Sequence, residues 1–246
     1  MRAAILVAAL TLAACKPSEE TRLKVIIGAT LIDGSGGPPM SRSVIIVAGS
    51  RVRATGTQAA TPIPAGSDKF DGSGRFAAPL PVTLSENFRI PEVSNLAEMR
   101  RKVDDGVNVL AGVPADTEEF DAALLQKLRN LRVVFFPRLA RLSPGESLDR
   151  ARRNTKRLAA AGILIAAAGD SAREWELLAE AGLSPMEILL AVTRNAAAGV
   201  GKGEEAGLIA PGRPANLVLL SANPLEDARN LAKAEKVMRD GEWVSH

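Results

Sequence analysis

Gly207-Leu208-Ile209-Ala210-Pro211-Gly212-Arg213-Pro214-Ala215-Asn216-Leu217-Val218-Leu219-Leu220 turns the chain from helix-forming sequence back to β structure. Its apolar runs, residues 207–209 and 216–220, flank a Pro- and Gly-rich turn signal. Residues 236–238 and 242–244, joined through the turn Asp240-Gly241, read as two more short strands. None of these has a partner nearby in sequence, and a few edge strands are not stable alone. The available partners lie at the other end of the chain. Residues 23–75 read as short strands (23–27, 31–32, 43–47 and 51–54) separated by dense turn signals at 33–39, 48–50 and 71–74. No helical period appears there, and the expectation is an antiparallel unit. The two ends, 23–78 and 204–246, are therefore expected to form one small composite β-sandwich.

The middle of the chain has a different rhythm. Residues 79–94 carry several prolines and read as a linker. Ser94-Asn95 is an N-cap signal for a helix through Leu96, Met99 and Val103. Apolar strands at 107–110, 133–136 and 163–168 alternate with helices at 121–131 and 147–161, the first carrying Leu124, Leu125 and Leu128 on one face. Strand–helix–strand alternation predicts a parallel βαβ arrangement. Two further helices follow at 174–181 and 184–200, with Pro185 in the first turn of the second. The fold class is thus α/β: the composite sandwich plus, over 95–203, an incomplete (β/α) barrel segment of about three parallel strands.

The chain opens Met1-Arg2 and runs through apolar residues 3–14, too short for the roughly 20 residues that span a bilayer. A charged start, a short apolar run and small residues describe an export signal. Its end, Leu12-Ala13-Ala14-Cys15, resembles the lipobox of bacterial lipoproteins. That resemblance implies a signal peptide at 1–14, an acylated Cys15 as first mature residue, and a polar tether at 15–22. Cys15 is the only cysteine, so no disulfide framework competes for it. Lys16 after the cysteine implies the outer membrane, facing the periplasm. A net charge of +3, 3% aromatic residues and no Tyr give no platform for nucleic acid. Arg150, Arg152, Arg153, Lys156 and Arg157 recur at helical spacing and read first as a solvated helix face, second as an anion patch.

The chain also resembles the metal-dependent amidohydrolases of the imidazolonepropionase-like and prolidase-like branch. The resemblance rests on Ile27-Gly28-Ala29-Thr30-Leu31-Ile32-Asp33-Gly34, Ile63-Pro64-Ala65-Gly66, Thr193-Arg194-Asn195-Ala196-Ala197 and the 207–218 stretch, in order along the chain. It implies a β domain made of both chain ends, an eight-stranded barrel, and hydrolysis of carbon–nitrogen bonds other than peptide bonds. It also implies metal held by a His-x-His pair, a carbamylated Lys or carboxylate, a His on each of strands five and six, and an Asp after strand eight. Neutral imidazoles and carboxylates hold such ions, which make hydroxide available near neutral pH.

Several positions depart from that pattern. Ala77-Ala78-Pro79-Leu80-Pro81-Val82 stands where the His-x-His pair belongs, strands two to five are reduced to a linker, and Gly112 replaces the strand-six His. The loop after strand eight is short. Asp170, in Ile165-Ala166-Ala167-Ala168-Gly169-Asp170-Ser171, is the only matching ligand position; its other reading is a helix start, with Ser171 and Glu174 as a capping box. One carboxylate does not hold a catalytic zinc, which takes three protein ligands and a water.

Other chemistries lack their residues. The single histidine, His246, ends the chain, and Gly199-Val200-Gly201-Lys202-Gly203 follows a helix and lacks phosphate-loop spacing. Asp104, Asp105, Glu118 and Glu119 have no spacing that demands calcium or magnesium. The expectation is a lipid-anchored amidohydrolase relative that is catalytically degenerate, a pseudoenzyme that binds or scaffolds and needs no cofactor. Two alternatives stand beside it. One is an active enzyme whose zinc ligands come from a homo- or hetero-oligomeric partner pairing with the open strand edges. The other is a non-functional deletion remnant.

Overall fold

The computed structural model describes residues 22–85 and 87–244; the signal peptide, Cys15 and His246 lie outside the described residues. The front of the chain gives β1 (Lys24–Ile27), β2 (Thr30–Leu31), β3 (Ser43–Ala48), β4 (Arg51–Thr57), β5 (Asp68–Asp71) and β6 (Phe76–Pro79). The back gives β10 (Leu217–Leu220), β11 (Ala234–Arg239) and β12 (Glu242–Val244). They make two sheets, ordered β4-β3-β1-β5 and β12-β11-β10-β6-β2, so the second is composed from both chain ends.

Neither sheet is purely antiparallel as the turn signals suggest. β1 pairs in parallel with β5 and β2 with β6, because each partner returns by a crossover and not by a hairpin. The hairpin β3–β4, turning at Gly49, is antiparallel as expected.

All four residues of β10 are buried, as befits a strand covered on both faces. Leu217 and Leu219 face Ile26, Ile45 and Val47 of the first sheet. Val218 and Leu220, pointing the other way, join a core with Leu177, Leu178, Ile188 and Leu189. The composite sheet is therefore the middle layer of the molecule.

Between the chain ends run α1 (Leu96–Asp104), β7 (Val109–Ala111), α2 (Ala122–Asn130), β8 (Val134–Phe136), α3 (Glu146–Ala160), β9 (Leu164–Ile165), α4 (Ala172–Glu180) and α5 (Pro185–Leu190). A π turn, Ala191–Asn195, continues α5 into α6 (Ala196–Gly199), and the glycine-rich segment beyond it is a turn. Asn95 and Asp121 cap α1 and α2 by accepting from the N–H groups of Glu98 and Leu124. Ser184 and Glu187 form a capping box on α5, with Pro185 in its first turn. β7, β8 and β9 lie in parallel in that order and close no barrel.

The two faces of this sheet are covered differently. Leu110, Phe135 and Ile165 face helix residues Met99, Leu128, Leu158 and Leu177. On the opposite face Ala111, Val134, Phe136 and Ala166 meet Ala196, Ile90, Leu84 and Phe88. The three covering residues other than Ala196 belong to the linker.

The linker also closes the β7 edge and meets the chain beyond β9. The outer edge of β9 itself is taken by Asn195 Nδ2 donating to the Ile165 carbonyl and by Ala167 donating to that of Ala191. Beside β7, Val93 donates to the Ala111 carbonyl and Ala111 donates to that of Pro91, each at 2.8–2.9 Å, giving a parallel bridge at Glu92. Beyond β9, Gly169 donates to the Val82 carbonyl at 2.7 Å, while Val82 donates to that of Val192 at 2.8 Å. Both contacts need glycine. A Cβ on Gly112 (φ +80°) would stand 2.4 Å from the Val93 carbonyl oxygen, and one on Gly169 2.7 Å from Pro81 Cβ. Real Cβ atoms do not approach that closely. A segment that reads in sequence as a mere connection thus acts as a strap over the open side of the sheet.

Candidate ligand cleft at the strand ends

Ligands of open and closed parallel sheets sit beyond the carboxyl ends of the strands. Here that edge is formed by Ala111–Gly112–Val113, by Pro137–Arg138 after β8, and by residues 166–170 after β9. Two hollows open there. One, of about 540 Å³, lies between the strap and β7–β8 and is lined by Glu92, Val93, Gly112, Val113, Arg138, Arg141 and Leu142, among others. The other, of about 200 Å³, lies over β9 and includes Leu84, Ala167, Ser171 and Glu174. Arg138 and Arg141 border both.

Asp170 does not point to either hollow. It is exposed, and it lines neither. The expected Ser171–Glu174 capping box is also absent: the Ser171 side chain makes no cap hydrogen bond to α4. Glu174 is turned inward instead, 5% exposed. Its carboxylate accepts from the backbone N–H of Leu139 at 3.0 Å and of Ala140 at 2.8 Å. Burial pushes its carboxyl above the ordinary value, opposed by the N–H groups of Ala140, Leu139 and Arg138 and by the Arg138 charge. Glu174 stands among Trp175, Leu177 and Leu178 on the buried face of α4. A lone acid in such an apolar stripe was the available sequence signal for its role.

Glu174 anchors the turn after β8, where Arg138 has φ +54°. An L-residue in that region needs external support. The Arg138 side chain reaches Glu92 of the strap, and Arg141 Nη1 meets the same carboxylate at 3.2 Å. Burial first, then the neighbouring Arg141, pulls the Arg138 guanidinium below its ordinary value, while Glu92 pulls it back up. Glu92, Arg138 and Arg141 have no distinguishing spacing in sequence; only the strap's path brings them together.

The basic cluster on α3 is not a free anion patch. Arg150 pairs with Glu146, Arg152 with Asp149 and Glu180, and Arg153 and Arg157 with Glu118. Lys156 donates to the Gly182 carbonyl. Asp104 is taken by Lys127.

A sequence profile described as the amidohydrolase family matches residues 94–244. The chain belongs to the amidohydrolase family. No curated protein matches it significantly. Among solved structures, this amidohydrolase-family chain is similar to molinate hydrolase, with a TM-score of 0.74 and 12% identity over 92% of this chain and 95% of that one. It is similar to an A. niger ochratoxinase at 0.74 and 12% over 90% and 95%. A Xaa-Pro dipeptidase with bound methionine matches at 0.71 and 11% over 91% and 100%. At such identities the likeness concerns the fold.

The family's metal can be tested against the residues present, and they do not fit it. Among the described residues no three His, Cys, Asp or Glu side chains converge as ligands would. Gly112, which the sequence resemblance sets at the strand-six ligand position, has no room for a side chain, because the strap's carbonyl fills the space.

Proposed function

We propose that this amidohydrolase-family chain performs no metal-dependent hydrolysis of its own and acts by binding at the strand-end cleft, tethered to the cell envelope through Cys15. One observation carries the reading: the Val93 carbonyl occupies the place where a Cβ on Gly112 would begin, so the strap and a ligating side chain exclude each other. An ion site at that strand end would require a different path for residues 90–93. The lipid tether rests on the sequence around Cys15.

The fit of the strap also weighs against the other two readings. A partner supplying ligands needs free edges; here the β7 edge is hydrogen-bonded to residues 91 and 93 of this chain, and Ile165, Ala167 and Gly169 on the other side bond to its Asn195, Ala191 and Val82. A collapsed remnant would not be expected to place Ile90, Leu84 and Phe88 over the bare face of the sheet.

The test is metal content together with turnover of acyl-dipeptides and cyclic amides by the purified full-length chain. The expected result is substoichiometric metal and no hydrolysis above that of Asp170→Ala. Stoichiometric zinc with turnover abolished by Asp170→Ala would overturn the proposal. Fatty-acid labelling that disappears in Cys15→Ser checks the tether.

A further inference from the structure

Arg138 combines features that a surface arginine lacks. It follows the buried Pro137 at the end of β8, adopts a left-handed backbone, and its side chain is only 20% exposed. The turn that holds it is fixed from below by Glu174, whose buried carboxylate collects successive backbone N–H groups. A nearly fully buried acid used in this way acts as a positioning residue for the guanidinium above it.

The donors at this spot are under-used. Arginine carries five N–H donors in a planar fork suited to a carboxylate. Among the described residues, Arg138 and Arg141 each spend only Nη1, and both on the same Glu92 oxygen, Oε1. Glu92 is 65% exposed and sits on the strap, so it is a removable partner. Beside the pair, Val93, Val113 and Leu142 give the roughly 540 Å³ cleft apolar walls, and Leu142 is one of the few exposed large hydrophobic residues. Small-ligand sites have this size and mix of apolar lining with a few convergent polar groups.

We propose that the cleft binds a small aliphatic monocarboxylate through Arg138 and Arg141, and that Glu92 is the internal carboxylate occupying the pair until the ligand displaces it. The proposal rests on the reading of this edge as a binding site. A monoanion is favoured over a dianion such as phosphate because Glu92 and Glu98 both line the cleft and oppose added negative charge. The occupant already in place is itself a carboxylate, which matches the pair's geometry.

The experiment is a calorimetric titration of the intact protein with isocaproate, its neutral counterpart isocaproamide, and inorganic phosphate, with amide chemical shifts of Ala140 and Gly112 as site reporters. Isocaproate is expected to bind and to move both signals, and isocaproamide to do neither. Arg138→Lys, which keeps the charge and loses the fork, should weaken binding at least tenfold while melting within a few degrees of the wild type. Glu92→Gln should tighten binding several-fold, a direction that a merely structural ion pair would not give. Glu174→Gln should weaken isocaproate binding and shift the Ala140 signal in the free protein.

Equal binding of acid and amide, preferential binding of phosphate, or no binding by both wild type and Glu92→Gln would overturn the proposal. Those failures leave the metal and turnover results untouched. A zinc-dependent hydrolase with normal isocaproate binding would fail the proposed function alone.

Discussion

In the composite sandwich, β10 is buried on both sides, between the first sheet and helices α4 and α5, and it pairs antiparallel with β6 and β11. In the parallel sheet, helices bury one face, and the opposite face is covered largely by one extended segment with little secondary structure of its own. The sandwich has the full complement of strands it needs. The parallel sheet has three strands, and the strap pairs with its β7 edge and lies across one face. The comparison separates what a (β/α) unit needs to fold from what it needs to catalyse. Its helix-packed face is a sufficient core without a closed barrel, whereas the strand-end geometry is given over to holding the strap.

Substitutions on the two faces of the parallel sheet should differ accordingly. Phe135 is fully buried against the helices, and Phe135→Ala should cost about 3–5 kcal/mol in urea unfolding. Gly112→Ala combines a left-handed backbone with a clash against the Val93 carbonyl and should cost about 3 kcal/mol. Phe88, only partly buried in the strap, should cost about 1–2 kcal/mol as Phe88→Ala. If Phe88→Ala matched Phe135→Ala, the strap would be as much a part of the core as the helices, and the contrast between the faces would fail.

A smaller effect probes the hinge between strap and sheet. Burial holds the Glu174 carboxyl above its ordinary value of about 4.5. For an acid raised in the folded state, the folded protein binds the proton more tightly than the unfolded chain. The associated stability is complete below the unfolded value and is lost as pH rises through the folded one. The stability of the wild type relative to Glu174→Gln should therefore be largest at the acid end and decline toward neutral pH. Melting temperatures of the pair across that range check the sign; a difference that grows with pH would contradict it.

Much of the fold is legible in the residues. Alternating apolar runs, the N-cap signal at Ser94-Asn95 and Pro185 in a first turn place the central elements, because each signal is local. The unpartnered terminal strands demand a composite sheet. The parallel pairings of β1 with β5 and β2 with β6 are less visible, since turn residues mark where a chain bends and not which strand it will meet.

The site was the least legible part. Asp170 draws attention through its motif but is turned to solvent, while Glu174 looks like a helix cap and is buried under the turn after β8. Prolines in residues 79–94 argue correctly against a long strand there. They say nothing of the two short hydrogen-bonded contacts the segment makes, with Ala111 beside β7 and with Gly169 beyond β9.

Residue-resolved hydrogen exchange tests the central claim, that the strap is hydrogen-bonded into the structure at the β7 edge and at the chain beyond β9. The amides of Val82, Val93 and Gly169 should be protected to nearly the level of Ala111, Gly112 and Ala166 and should open with them. Exchange at Val82 and Val93 as fast as in an unstructured peptide, beside a protected β7–β9 sheet, would contradict the account.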